Sequence, residues 1–175
     1  MLTNTFSQEI YEMLTPVFRR VTAADVDRCY EIETVSYEGD EAATREKIAL
    51  RAKCYPEGFL CMLVDNCIAG FINAGCADNV VMSDEEFKEL VGHDPDAPNV
   101  VIMSVVVHPD FQGKGYSSLL MREFISRMKA MNKKSVYLMC KEQHIALYSH
   151  FGYQYIKPSE SDHGGMTWHE MYMTL

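Results

Sequence analysis

Residues 104–120, SVVVHPDFQGKGYSSLL, constrain the fold of this chain more than any other stretch. Ser104, Val105, Val106 and Val107 close an apolar β-branched run that reads as a buried strand. Pro109 ends it, because proline donates no ladder hydrogen bond and holds its predecessor extended. A short loop with Gly113 and Gly115 follows. Leu119, Leu120, Phe124, Met128 and Met131 then fall near helical spacing, with Arg122, Glu123, Arg127 and Lys129 mostly between them. The unit is strand, glycine loop, helix start. The first N–H groups of a helix lack intrahelical acceptors and lie at the positive end of the helix dipole. Gly113 and Gly115 let backbone approach a ligand with no Cβ in the way, and Lys114 adds charge. A diphosphate fits this unit. So does a tight turn that uses glycine only for its shape. Neither GxGxxG nor GxxxxGK[ST] is present, so the local pattern leaves both readings open.

The rest of the chain gives that unit a setting. At 175 residues it is long enough for one domain with a sizeable core. Residues 1–16 read as a lead-in with one short helix at 7–13, and 17–175 as the domain. Residues 17–21 form a strand. Thr22 is a helix N-cap with Asp25 three residues on. The helix runs to about Ser36, with Val26, Tyr30 and Glu33 on one face. Arg19, Arg20 and Thr22 also match a basophilic kinase pattern, but the cap reading is preferred. An acidic loop, 37–41, leads to a helix at 42–54 that Pro56 and Gly58 end. Strands at 59–64 and 67–74 are joined by Asp65-Asn66, a two-residue hairpin turn. Residues 78–99 are a polar surface excursion with a short helix near 84–91. After the strand at 100–107 and its helix come a strand at 135–140, a helix at 143–151, and strands at 152–157 and 166–175 around a Ser/Asp/Gly loop at 158–165. The order β-α-α-β-β-β-α-β-α-β-β predicts an α/β (α+β) fold, a central mixed sheet with helices on both faces.

Bulk properties exclude several function classes. No apolar stretch approaches the ~18–20 residues of a membrane span, and the N-terminus lacks the basic start and apolar block of a signal peptide. The expected location is cytoplasmic. Six cysteines show no CxxC pairing, which fits buried reduced thiols and no metal site. The net charge of −9 argues against nucleic acid as partner. It is compatible with cationic substrates and, equally, with plain solubility.

The strand order, with Val105-Val106-Val107-His108-Pro109-x-Phe111-Gln112-x-x-Gly115, resembles the GNAT (GCN5-related N-acetyltransferase) superfamily. The pyrophosphate loop of that family, Arg/Gln-x-x-Gly-x-Gly/Ala, reads here Gln112-Gly113-Lys114-Gly115-Tyr116-Ser117, ending in serine instead of glycine or alanine. Ala146-Leu147-Tyr148-Ser149-His150-Phe151-Gly152-Tyr153 is similar to the family segment of tyrosine, three residues, Gly-Phe. Within the superfamily the chain looks most like the arylalkylamine (serotonin) N-acetyltransferases, non-vertebrate branch. Residues 30–33, 37–44, 138–142 and 166–171 carry that match, and the likeness covers about 18–175.

The resemblance implies acetyl-CoA as co-substrate, a small-molecule amine as acceptor, and a monomer or homodimer. It assigns cofactor binding to Val105, Val106, Val107, Gln112, Gly113, Lys114, Gly115, Tyr116, Ser117, Ser118 and Tyr148. The strand backbone would pair with the pantetheine arm, and one of its N–H groups would polarise the thioester carbonyl. Acceptor selection is expected at Tyr37, Met103 and Met139, near the loops 37–41, 78–99 and 158–165, where aromatic and methionine side chains suit an aryl or alkyl tail, although Met103 and Met139 read equally as plain core. The vertebrate enzymes place two histidines on the central strand, where this chain has Val101 and Met103, so their proton relay does not carry over.

The chemistry requires a replacement for that relay. A primary amine of pKa near 10 costs about 4 kcal/mol to deprotonate at pH 7. A base must take the proton, a donor must stabilise the oxyanion, and an acid must protonate the leaving thiolate. Tyr148, at the family tyrosine position, is the expected acid. Glu41 is the first choice for base, by likeness to the insect branch, and Glu33 the second. His108, His144 and His163 rank lower. The expected function is acetyl transfer to an arylalkylamine of tryptamine, serotonin or phenethylamine type, by direct attack in a ternary complex. Alternatives are a GNAT enzyme of polyamines or protein amino groups, and a non-catalytic acyl-CoA-binding module.

Overall fold

A computed structural model describes residues 15–37 and 39–175. The helix expected at 7–13 lies outside them. The elements follow the expected order: β1 Val17–Arg20, α1 Val26–Ser36, α2 Arg45–Cys54, β2 Phe59–Val64, β3 Cys67–Ala77, β4 Asn99–Val107, α3 Tyr116–Ala130, β5 Ser135–Cys140, α4 Ile145–His150, β6 Gln154–Pro158 and β7 His169–Thr174. Among the described residues no helix is long and apolar enough to cross a membrane.

Local chemistry explains the boundaries. The Asp65 and Asn66 turn takes φ of 50° and 60°, the left-handed pair that a two-residue hairpin needs. Asp25 accepts from the Thr22 N–H at 2.7 Å and from the Thr22 hydroxyl at 2.9 Å, and Arg19 grips it with N···O distances of 2.6 and 3.0 Å. That grip holds the Asp25 carboxyl down to about 2. The cap opens a turn of 3-10 helix, Ala23–Asp25, that runs into α1. Thr44 caps α2 by accepting from the Lys47 N–H. The second helix therefore begins at Arg45, with Thr44 as its extended N-cap.

The seven strands form one sheet in the order β1-β2-β3-β4-β5-β7-β6. Every pair is antiparallel except β4 with β5. Helices cover both faces, as expected. On one side α1 and α2 pack Cys29, Ile32, Ile48 and Ala52 against Phe59, Phe71 and Val106. On the other, α3 packs Leu120, Met121, Phe124 and Met128 against Ile72, Val100, Ile102 and Leu138. Two expectations about burial need correction. Tyr30 is exposed, because the buried stripe of α1 is Val26, Cys29, Ile32 and Glu33, and Tyr30 lies off it. Of the six free thiols, Cys29, Cys61, Cys76 and Cys140 are buried, but Cys54 and Cys67 are exposed at element ends.

One irregularity positions the site. The β3–β4 register passes from Asn73↔Ser104 to Ala74↔Ile102, so Met103 is an extra residue, a bulge in β4. A bulge bends its strand and increases twist. β4 and β5 pair only from Asn99↔Ser135 to Val101↔Tyr137. Beyond Val101 the strands part, and the edge of β4 is left open toward β5.

Candidate active site

The opening between β4 and β5 holds two adjoining cavities. The first, a cleft, is lined by Val105, Val106, Val107, Gln112, Gly113, Gly115, Tyr116, Ser117 and Tyr148 of the residues expected at the cofactor. The second, a pocket, is lined by Tyr37, Met103 and Met139, the three residues expected at the acceptor. Glu33, Glu41 and Tyr148 line it too. Tyr37, Glu41, Val105, Met139, Tyr148 and Trp168 border both cavities and form the neck between them. Lys114 and Ser118 border neither cavity. The Lys114 ammonium turns back to the Asp110 carbonyl at 3.4 Å.

The cleft is built mainly from backbone. Gly113 and Gly115 have φ of 74° and 82°, and Gly115 is the N-cap of α3. A Cβ at either glycine would meet nothing within 4 Å. Glycine is therefore required there by the left-handed backbone, and the space in front of the loop is open. The loop delivers the first turn of α3, where N–H groups lack intrahelical acceptors, to the cleft. The open edge of β4 supplies further polar backbone. The Val107 carbonyl accepts from the Gln112 amide at 2.8 Å, which fixes the loop to the strand. His108 accepts the Asp110 N–H on Nδ1 at 3.1 Å, so its imidazole turns the chain. These groups fit a diphosphate joined to an extended amide-bearing arm.

The pocket is built from side chains. Glu33 is 1% exposed. Its Oε1 accepts from the Ala43 N–H and the Ser104 hydroxyl, both at 3.0 Å, and its Oε2 has no partner. Burial raises the Glu33 carboxyl, opposed by those two donors and by the charge of Arg51. Arg51 is 2% exposed and donates to the Lys88 carbonyl from Nε and Nη2, and to Asn73 and Ser104 from Nη1. Burial pushes it down to about 10. Arg51 lies three residues after Ile48 on the buried side of α2, but an arginine in a helix that also carries Arg45, Lys47 and Lys53 reads as one more solvent-facing charge.

Glu41 is at the neck. Its Oε1 pairs with Lys141 Nζ at 2.7 Å, and its buried Oε2 has no partner. His163 ties down the same residue through Nε2 and the Glu41 carbonyl, 3.0 Å apart, and the Trp168 indole donates to the His163 carbonyl. Lys141 and Trp168 stand in motifs that carry the resemblance, but their roles became readable only through these contacts. Tyr148, on α4, packs edge-on against Tyr153 with centroids 5.8 Å apart. Burial holds its phenol above the ordinary range, with the Cys140 thiol adding to the shift. It therefore stays protonated and can act as a donor. His144 lines the cleft, and its imidazole is lowered by burial and by Lys141.

Comparisons with known proteins agree with this architecture. An uncharacterized N-acetyltransferase of Gracilaria tenuistipitata var. liui, ycf52, is 34% identical over 55 residues, which cover 31% of this chain and 30% of that protein. The matched stretch is thus under a third of either chain. The loading GNATL domain of CurA from Lyngbya majuscula superposes with a TM-score of 0.81 at 13% identity, over 91% of this chain and 98% of that one. The yncA structure, a putative acetyltransferase from Salmonella typhimurium with acetyl-CoA, gives a TM-score of 0.67 at 20% identity, over 92% and 94%. A GNAT-like decarboxylase, GphF, in complex with isobutyryl-CoA gives 0.77 at 15%, over 90% and 98%. At these identities the structures share the fold alone. The family model described as acetyltransferase (GNAT) matches residues 26–153, from α1 through the glycine loop to Tyr153, and the chain belongs to that family.

Proposed function

We propose that this protein transfers an acetyl group from acetyl-CoA to the primary amine of a small arylalkylamine, of tryptamine, serotonin or phenethylamine type, by direct attack in a ternary complex. The supporting observation is the neck, where the Val105 backbone, Glu41 and Tyr148 face one passage between cleft and pocket. The pyrophosphate of the coenzyme fits the Gly113–Gly115 loop and the start of α3, and its pantetheine arm the open edge of β4. When bound, acetyl-CoA supplies an activated thioester. The chain's own residues do the rest. Tyr37, Met82, Phe87, Met103, Met139 and Trp168 line the pocket with aromatic and thioether surface suited to an aryl tail. Glu41 Oε2 accepts the ammonium proton, directly or through one water, and releases the nucleophilic amine. Tyr148 donates its phenolic proton to the departing thiolate. Glu33 takes a positioning role, because its Oε1 holds the Ala43 N–H and so anchors the segment that carries Glu41.

The test is thiol release from acetyl-CoA against tryptamine, phenethylamine, spermidine and a peptide panel. Turnover of the first two is expected. Turnover of spermidine or peptides alone moves the acceptor class, and acetyl-CoA binding without turnover makes the protein a binding module. Glu41→Gln is expected to lower kcat by 10²-fold or more and to remove the acidic limb of the rate profile, with acetyl-CoA affinity kept. An unmoved limb removes Glu41 as base.

A further inference from the structure

Tyr37 lines the pocket, and its hydroxyl faces the strand backbone. It donates to the Val105 carbonyl at 3.2 Å and accepts from the Val105 N–H at 3.4 Å. Both groups of Val105 lie on the edge of β4 that β5 abandons, two residues past the Met103 bulge. Tyr37 follows α1 directly, with its own N–H bonded to the Glu33 carbonyl at 3.1 Å, so the ring is held at the end of a packed helix. It borders the cleft and the pocket at once.

We propose that Tyr37 is a second oxyanion donor, which with the Val105 N–H holds the thioester oxygen during acetyl transfer. This rests on the reading that the acetyl carbonyl meets Val105. An oxygen accepting from that N–H must come within about 2.9 Å of the nitrogen, the shell where the Tyr37 hydroxyl already stands. On arrival it replaces the hydroxyl as acceptor, and the O–H turns from the Val105 carbonyl to the incoming oxygen. The freed carbonyl then accepts from an amide of the pantetheine arm. Each polar group that loses a partner gains another, so the exchange leaves no buried donor or acceptor orphaned. The reaction balances accordingly. The amine lone pair forms the C–N bond, and the carbonyl π pair moves to oxygen, held by the Val105 N–H and the Tyr37 O–H. The pair then returns, the C–S bond breaks and the thiolate takes the Tyr148 proton; the surplus proton on the new amide nitrogen restores the Tyr148 phenol through water, and Glu41 passes the ammonium proton it took before attack to solvent. Separately, burial and the neighbouring Glu33 charge hold the Tyr37 phenol well above its ordinary range. It therefore meets the oxyanion as a neutral donor.

Infrared difference spectra of bound acetyl-CoA, labelled with ¹³C at the thioester carbonyl, test this without an acceptor amine. In the native protein the carbonyl stretch is expected below that of free acetyl-CoA. In Tyr37→Phe it should return part of the way, with acetyl-CoA Kd changed less than threefold and kcat lowered 10- to 100-fold. Replacing tyrosine with 3-fluorotyrosine, a stronger donor, should lower the stretch further and covers the case in which the phenylalanine variant folds poorly. A stretch identical in all three proteins overturns the proposal. So does a Tyr37→Phe protein that binds acetyl-CoA more tightly at unchanged kcat, because the hydroxyl would then be a placeholder that the coenzyme displaces. A native stretch equal to that of free acetyl-CoA removes the Val105 reading and the proposal with it. Absence of turnover with every amine, alongside a shifted stretch, removes only the acceptor assignment.

Discussion

The cleft and the pocket share one neck but are made of different material. The cleft offers backbone: the open edge of β4, a glycine loop and the first turn of α3. The pocket offers side chains: Glu33, Arg51 and Ser104 in a buried cluster, with aromatic and methionine surface around it. Backbone groups are placed by the fold itself and tolerate changes of side chain. A side-chain cluster depends on every member, because each buried charge relies on its partners. The cleft should therefore fail through ligand affinity, and the pocket through stability.

The largest expected effect breaks the pocket. Arg51→Met removes the cation beside Glu33 and leaves the Lys88 and Asn73 oxygens short of donors. Urea unfolding should show a loss of about 3–5 kcal/mol, the usual cost of orphaning a buried charge. Adding Glu33→Gln should recover part of it. A loss below about 1 kcal/mol would mean that the cluster does not brace the pocket.

Next is the cleft. Gly115→Ala puts a Cβ in the left-handed N-cap of α3, facing open space. Calorimetry should show acetyl-CoA Kd raised about tenfold, or about 1.4 kcal/mol, with the amine KM unchanged. If affinity stays as it was, the loop is not the diphosphate cradle.

The smallest effect calibrates both from a region outside them. Asp25→Ala removes the Arg19 pair and the Thr22 cap, and should cost about 1 kcal/mol. The native carboxyl is held down to about 2, below its ordinary 3.8. Its contribution is present above about pH 4 and is lost as pH falls toward 2. Glu33 has the opposite sign. Its folded carboxyl is raised, so its contribution is present at low pH and is lost as pH rises through the raised value. Acid unfolding of native and Asp25→Ala proteins should therefore converge between pH 4 and pH 2. Parallel curves would show that the Arg19 pair does not govern that window.

How much of this was legible depends on the range of each interaction. Asp65 and Asn66 set their turn within two residues, and the Thr22–Asp25 box within four. The glycine loop was readable because strand, loop and helix start are contiguous. Tyr30 was misplaced by one step around a short helix, since its position looked periodic with Val26 and Glu33. Arg51 stayed hidden because its partners are Asn73, Lys88 and Ser104, far along the chain. The Lys141 partner of Glu41 is 100 residues away, and the backbone that Tyr37 engages is 68 away.

The sequence by itself determined the order of elements, the turn types, the glycine loop and the residue types available for proton transfer. These follow from local periodicity, steric limits on φ and contiguous motif. Only the tertiary structure decided which groups face one another across the parting of β4 and β5. It paired Glu41 with Lys141, buried Glu33 beside Arg51, and set the Tyr37 hydroxyl on the Val105 backbone. Those outcomes depend on how far a bulged strand diverges from its parallel neighbour. That divergence comes from packing the whole sheet between two helical layers, and no local stretch of sequence encodes it.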